Sequence, residues 1–226
     1  MKRIVVCILA MLACSAHASQ YWLAGAFAPD VPANVRGVRA TIEVEKMAGK
    51  SQKSAWLGTR VGNRWVQAGY KNWAGPKYVV ECFTLINFDW THGCPHFSTV
   101  YLAHPPMVAG TLSTFAIVNV AGTNLWQVIT DGILTNEFDM GADFARSGQI
   151  NIEQAPSTRP ERFATVEFNP ALEFLIDGIW TPPTSLQVGY PDFGVEGPRQ
   201  NPLLPPNTVR MGSAIPLQPR YTELLP

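Results

Sequence analysis

From Val38 to Glu45 apolar and polar residues alternate without a break. Successive side chains of a strand point to opposite faces. Val38, Ala40, Ile42 and Val44 therefore share one side of an extended chain, and Arg39, Thr41, Glu43 and Glu45 share the other. A helix would scatter the same residues around its circumference. The pattern commits the segment to a half-buried antiparallel strand. Similar runs predict strands over 54–58, 64–70, 77–83, 112–120, 125–130, 133–138, 149–153 and 162–168. Turn residues punctuate them at Gly62-Asn63, Gly122, Asp131-Gly132 and Ser147-Gly148. No stretch sustains a helical period, and 138–146 predicts one short helical turn. Many short strands at this spacing make an all-β chain, folded as an antiparallel sandwich or barrel.

The first 18 residues stand apart from this pattern. Lys2 and Arg3 precede an apolar run from Ile4 to Ala13, and Ala16-His17-Ala18 offers a small-residue cleavage site. That is the form of a secretory signal peptide, and it predicts a secreted or periplasmic protein. The apolar run is too short to span a bilayer. Lipoprotein-type cleavage before Cys14 is the rival reading, and Met11 stands three residues before it. Removing 18 residues from 226 leaves 208, enough for one large β domain over 19–195. The mature chain would carry 15 basic and 17 acidic residues with no basic stripe, which argues against a nucleic-acid partner. Cys82 and Cys94 would be its two cysteines, and in an oxidising compartment they are expected to pair.

Beyond Trp180 the composition shifts. The last 46 residues hold 10 of the 19 prolines. Proline is kept out of sheet interiors because it lacks a ladder donor. Residues 196–226 are expected to form an extended tail, either strapped over the surface through Leu203, Leu204, Ile215 and Leu217 or left loose.

Chemistry-bearing residues are few. His92-Gly93-Cys94-Pro95-His96 suggests metal, but a zinc site needs three or four convergent ligands and no second paired motif exists. No metal and no cofactor is expected. A Gly-x-Ser-x-Gly elbow and a phosphate-binding glycine loop are both missing from the sequence. More telling is Gln67, which shares a strand face with Trp65 and Gly69. A buried glutamine is costly unless its amide is used, so it serves as a hydrogen-bond hub or is kept for a ligand. Gln149, Asn151 and Glu153 form a second polar face, and Lys77, Val79, Glu81 and Phe83 a third. The three faces line one concave surface or make up an ordinary wet sheet.

The order of several short motifs resembles the glutamic peptidases, also called eqolisins. Trp22-Leu23-Ala24-Gly25-Ala26 comes first, then Val38 to Val44 and Ser54-Ala55-Trp56-Leu57-Gly58. Val66-Gln67-Ala68-Gly69, Tyr78-Val79-Val80-Glu81, Gln149-Ile150-Asn151-Ile152-Glu153 and Phe163 to Phe168 follow. The resemblance covers about Trp22 to Phe168 and implies a concanavalin-like β-sandwich. It also implies peptide hydrolysis in acid by a Glu–Gln dyad. On this resemblance Gln67 matches the catalytic glutamine, Trp56 and Trp22 match tryptophans flanking the cleft, and Glu81 matches a cleft glutamate. The catalytic glutamate falls on Gln149, and Glu153 matches the second glutamate of the same run.

That departure matters chemically. A general acid–base must take a proton from water and return it to the leaving amine, which an amide cannot do. Glu153 and Glu81 are the candidate substitutes as catalytic carboxylates beside Gln67. Two readings stay open: an acid endopeptidase with an altered dyad, and a non-catalytic protein that holds a peptide or protein ligand in the groove through Trp56, Trp22 and Gln149. The alternatives outside that pair are a lectin-like carbohydrate-binding sandwich and a structural surface protein.

Overall fold

The structure is a computed structural model that describes residues 20–45, 51–72, 76–86, 89–92, 100–101, 107–157 and 160–225. The expected signal peptide and Cys94 lie outside them. So does the expected metal-like loop from residue 93 onward. Among the described residues no helix forms.

Among the described residues seventeen strands run in order. The first seven are β1 (Gln20–Phe27), β2 (Gly37–Glu43), β3 (Lys53–Val61), β4 (Arg64–Asn72), β5 (Pro76–Ile86), β6 (Asp89–His92) and β7 (Val100–Tyr101). Next come β8 (Leu112–Asn119), β9 (Leu125–Thr130), β10 (Ile133–Asp139), β11 (Gln149–Ser157) and β12 (Val166–Phe168). The last five are β13 (Glu173–Ile176), β14 (Ile179–Thr181), β15 (Gln187–Pro191), β16 (Gly194–Glu196) and β17 (Val209–Gly212).

They build two antiparallel sheets. The first runs β15-β1-β11-β3-β4-β5-β6, with β7 on β5. The second runs β10-β9-β8-β2-β12-β17-β16, with β13 pairing β2 and β14. Alternation sorts the side chains as expected. Ala24, Ala55, Leu57, Val66, Ala68, Val80, Ile150 and Ile152 of the first sheet join one core with Val38, Ala40, Ile42, Phe115, Ile117, Trp126 and Phe168 of the second. The expected sandwich is the observed fold. At about 25 cal/mol per Å² of apolar surface, this shared core is the main force holding the layers together.

Three expectations need correcting. Residues 138–146 form no helical turn. β10 continues to Asp139, whose carboxylate accepts the Gly141 N–H (2.6 Å) where φ is +71°. The Ala142 carbonyl then accepts from the Trp126 indole (2.8 Å), and the Ala145 N–H donates to Val35 (2.8 Å). These backbone groups are spent on the Asp139 side chain and on residues far away in sequence, and are not available to a local helix. Second, the strand expected from 162 begins only at Val166. The Arg162 carbonyl accepts from the buried Lys53 ammonium (2.6 Å), and Phe163 exchanges hydrogen bonds with Ser213.

Third, of the two readings of residues 196–226 the loose tail does not hold, and of the four expected strap residues Leu204 and Ile215 are buried while Leu203 and Leu217 are exposed. β17 lies inside the second sheet, hydrogen-bonded to β12 on one side and β16 on the other. Leu204, Val209, Met211, Ile215, Leu224 and Leu225 are buried. The prolines fall between these anchors rather than within β17.

Candidate functional site

The outer face of the first sheet carries a groove of about 760 Å³. Strand register explains what lines it. Gln149 of β11 pairs with Gly58 of β3, Gly58 with Gln67 of β4, and Gln67 with Glu81 of β5. The next rung is Tyr190, Gly25, Asn151, Trp56 and Gly69. One rung further stand Leu23, Glu153, Ser54 and Lys71. Side chains two apart share a face, so all three polar stripes of the sequence meet here. Gln67, Glu81, Gln149, Asn151 and Glu153 line the groove together.

The site's centre is a chain of hydrogen bonds. The Trp65 indole N–H donates to Gln67 Oε1 (3.0 Å), and Gln67 Nε2 donates to Glu81 Oε2 (2.8 Å). Glu81 Oε1 accepts from the Lys71 ammonium in an ion pair. Both Glu81 oxygens are thus engaged, and Gln67 and Glu81 are buried. Gln67 keeps a second amide hydrogen beyond the one given to Glu81. The Trp65 ring lies over Gly58, and a Cβ there would sit 2.3 Å from its Cζ2. Only glycine leaves room for that ring, which stands on the rung between Gln149 and Gln67. Gln149 leans the other way, its Nε2 3.3 Å from where a Cβ on Gly25 would be.

Glu153 sits apart from this chain. It lies four residues along β11 from Gln149, about 13 Å at the usual strand rise. The Trp56 indole N–H donates to its Oε2 (3.2 Å). Burial raises its pKa above the ordinary glutamate value. The Lys71 charge lowers it, the Glu81 charge raises it, and the Trp56 hydrogen bond lowers it, yet the net direction is upward. Asn151, between Gln149 and Glu153, is also buried and lines the groove, and its Oδ1 has no hydrogen-bond partner. Buried polar atoms without partners are rare in folded proteins.

The raised value makes Glu153 a stability switch. A carboxylate whose folded pKa is raised favours the fold while it is protonated. That contribution is complete below the unfolded value and is lost as pH rises through the folded one. Glu153→Gln, neutral at every pH and able to accept from Trp56, should therefore melt higher than the natural protein at pH 7. The gap should close by pH 3. Paired thermal melts check this, and a gap that widens toward low pH would refute it.

Two expected groove residues are placed differently. Trp22 packs against the hydrophobic core between the sheets and does not line the groove. Its neighbour Leu23 does, since one residue along a strand reverses the face. Trp56 is wholly buried and is covered by Lys71, whose ammonium sits 5.1 Å from the ring centre. It acts as the floor that holds Glu153 and offers no open face. Sequence reading missed Arg60, Lys71, Ser147 and Tyr190. Lys71 was within reach, because it shares the Trp65–Gln67–Gly69 face. Tyr190 comes from a strand that the sequence did not reveal. Among the described residues no group of three or more His, Cys, Asp or Glu gathers as metal ligands.

No protein-family model matches the sequence, and no curated protein matches it. Similar solved structures exist. One is a scytalido-glutamic peptidase with a transition-state analogue inhibitor, at TM-score 0.55 and 13% identity over 85% of this chain and 98% of that one. The same peptidase with a peptide-based transition-state analogue gives 0.54 at 13% identity and the same coverage. SCP-B, a member of the eqolisin family of peptidases in complex with the tripeptide Ala-Ile-His, gives 0.51 at 12% identity, again over 85% and 98%. The likeness spans nearly the whole of those chains, and at this identity what it shows is the fold: the sandwich of this protein is built like that of the glutamic peptidases.

Proposed function

We propose that this protein binds an extended peptide in the groove of its first sheet and, as it stands, hydrolyses peptide weakly or not at all. The observation that carries the reading is Asn151 Oδ1, a buried acceptor without a partner on the groove floor. A peptide N–H is the donor it lacks. The unused amide hydrogen of Gln67 suits a peptide carbonyl, so the groove offers one group for each half of a peptide bond. Ligands named for similarly built proteins, a peptide-based transition-state analogue and Ala-Ile-His, support the same reading.

Weak hydrolysis follows from where the carboxylates lie. The position across Gly58 from Gln67 is an amide, Gln149. Glu81 has both oxygens occupied by Gln67 and Lys71. Glu153 can hold a proton in mild acid but stands two rungs from Gln67. A general base and an oxyanion donor must converge on one reacting carbon, and these do not.

The test is retention of a hexapeptide library on the immobilised protein. Natural protein should retain peptides, and Asn151→Leu should weaken retention by about ten-fold, the effect of one well-placed hydrogen bond. Retention of oligosaccharide and no peptide would overturn the proposal in favour of a lectin-like sandwich.

The same reading takes the chain as exported, with Cys82 joined to Cys94. In support, Cys82 is buried on β5, twelve residues before Cys94 in the chain. Thiol titration of the unreduced, denatured protein should find no reactive Cys82. Two reactive thiols in a chain lacking residues 1–18 would refute the pairing.

A further inference from the structure

A second, smaller pocket of about 340 Å³ opens off the groove. The two share Ser147, Gln149 and Tyr190 as lining residues, so the space is continuous past Tyr190. Beyond Tyr190 the pocket is walled by Phe27, Arg220 and Tyr221. The Arg220 guanidinium lies 5.5 Å from the Tyr190 ring centre and 5.4 Å from that of Tyr221. Tyr221 in turn meets Phe27 edge to face, with centroids 6.3 Å apart.

Two features mark this as a built arrangement. Tyr221 has φ of +68°, in the left-handed region that a bulky side chain rarely adopts. Strain of that kind persists only where the surroundings enforce it, and it gathers at ligand sites. Here the Tyr221 N–H donates to Val188 (2.9 Å) and the Val188 N–H to Thr222 (3.0 Å), which pins the turn to β15. The second feature is the charge. Arg220 is exposed, and among the ion pairs of the described residues none includes it, whereas Arg36, Arg39, Arg64 and Arg210 each have a carboxylate partner. Two aromatic rings hold its guanidinium, and its fork of N–H donors stays unspent. Such a fork fits a planar carboxylate in a two-point hydrogen bond.

We propose that this pocket is a carboxylate-recognition subsite at one end of the groove, with Arg220 binding the charged end of a peptide whose backbone lies over Asn151 and Gln67. The inference rests on the peptide-groove reading above and adds what it leaves open, the polarity and charge of the preferred ligand. Two sources supply the same chemistry: the C-terminal α-carboxylate, and an Asp or Glu side chain at the last position.

The experiment compares one hexapeptide library in free-acid and C-terminally amidated forms, on natural protein, Arg220→Gln and Arg220→Lys, at low and high salt. Natural protein should retain free acids about ten-fold more strongly than amides, the scale of a charge-assisted hydrogen bond. The ratio should fall to about one in Arg220→Gln, recover in part in Arg220→Lys, and shrink at high salt. Amidated peptides retained only when they end in Asp or Glu would support the subsite and identify the side chain as the source. Equal retention of acids and amides by natural protein would overturn the subsite and leave the groove reading standing. Retention of neither form would overturn both.

Discussion

Replacing Gln149 with Glu is expected to raise acid proteolysis by 10²-fold or more, within the range of about 10²- to 10⁴-fold that a positioned general acid–base contributes. The carboxylate would stand on the same rung as Gly58 and Gln67. Half-buried on the groove wall, it should have a raised pKa, because burial disfavours its charged form. It would then exchange protons with water in mild acid while the Gln67 amide stabilises the oxyanion. The Trp65 ring covers Gly58 between the two positions. Digestion of an unfolded protein from about pH 2 to 7 spans the carboxylate range. Gln67→Ala should abolish the gain. Natural activity that is lost in Gln149→Ala but kept in Glu81→Ala and Glu153→Ala would defeat the account. Natural activity lost in Glu153→Ala would place the working carboxylate on that residue instead.

Cutting the chain before Gly197 is expected to abolish folding. The cut removes β17 from between β12 and β16 and exposes two strand edges in the middle of the second sheet. It also deletes six buried apolar side chains, Leu204, Val209, Met211, Ile215, Leu224 and Leu225. At about 1.5–3 kcal/mol each, their burial is comparable with the whole stability of a domain, about 5–15 kcal/mol. The truncated chain should be insoluble or lack a cooperative melt. A point variant gives the graded version. Met211→Ala should cost about 2–5 kcal/mol, a fall in melting temperature on the order of 10 °C. A soluble truncated chain that melts like the full one would show that the segment contributes nothing to the fold.

The regular middle of the chain was legible from its alternation. β2, β3, β4, β5, β8, β9, β10 and β11 were each anticipated to within a few residues at one end or both. All but β10, which buries only Phe138, have one face in a shared core, and a half-buried strand writes that fact into every second residue. The short strands β13 to β17 were not legible. Three to five residues are too few for a period to register, and their pairing depends on partners far away in sequence. Val166 pairs with Met211, and Glu173 with Arg39. Trp22 shows how a right motif can yield a wrong placement. Its neighbourhood forms β1, but only the pairing of β1 with β11 decided that Leu23 faces the groove and Trp22 the core.

By itself the sequence determined the class of fold and the three polar stripes. Those are local properties, carried by residue type and by a spacing of two. The tertiary structure alone decided that the stripes form one groove, that Lys71 ties Glu81, that Glu153 stands two rungs from Gln67, and that Arg220 lines a pocket beside it. Each of these depends on which strand lies beside which and in what register. That choice is made by the summed burial of two whole sheets, which no single segment records.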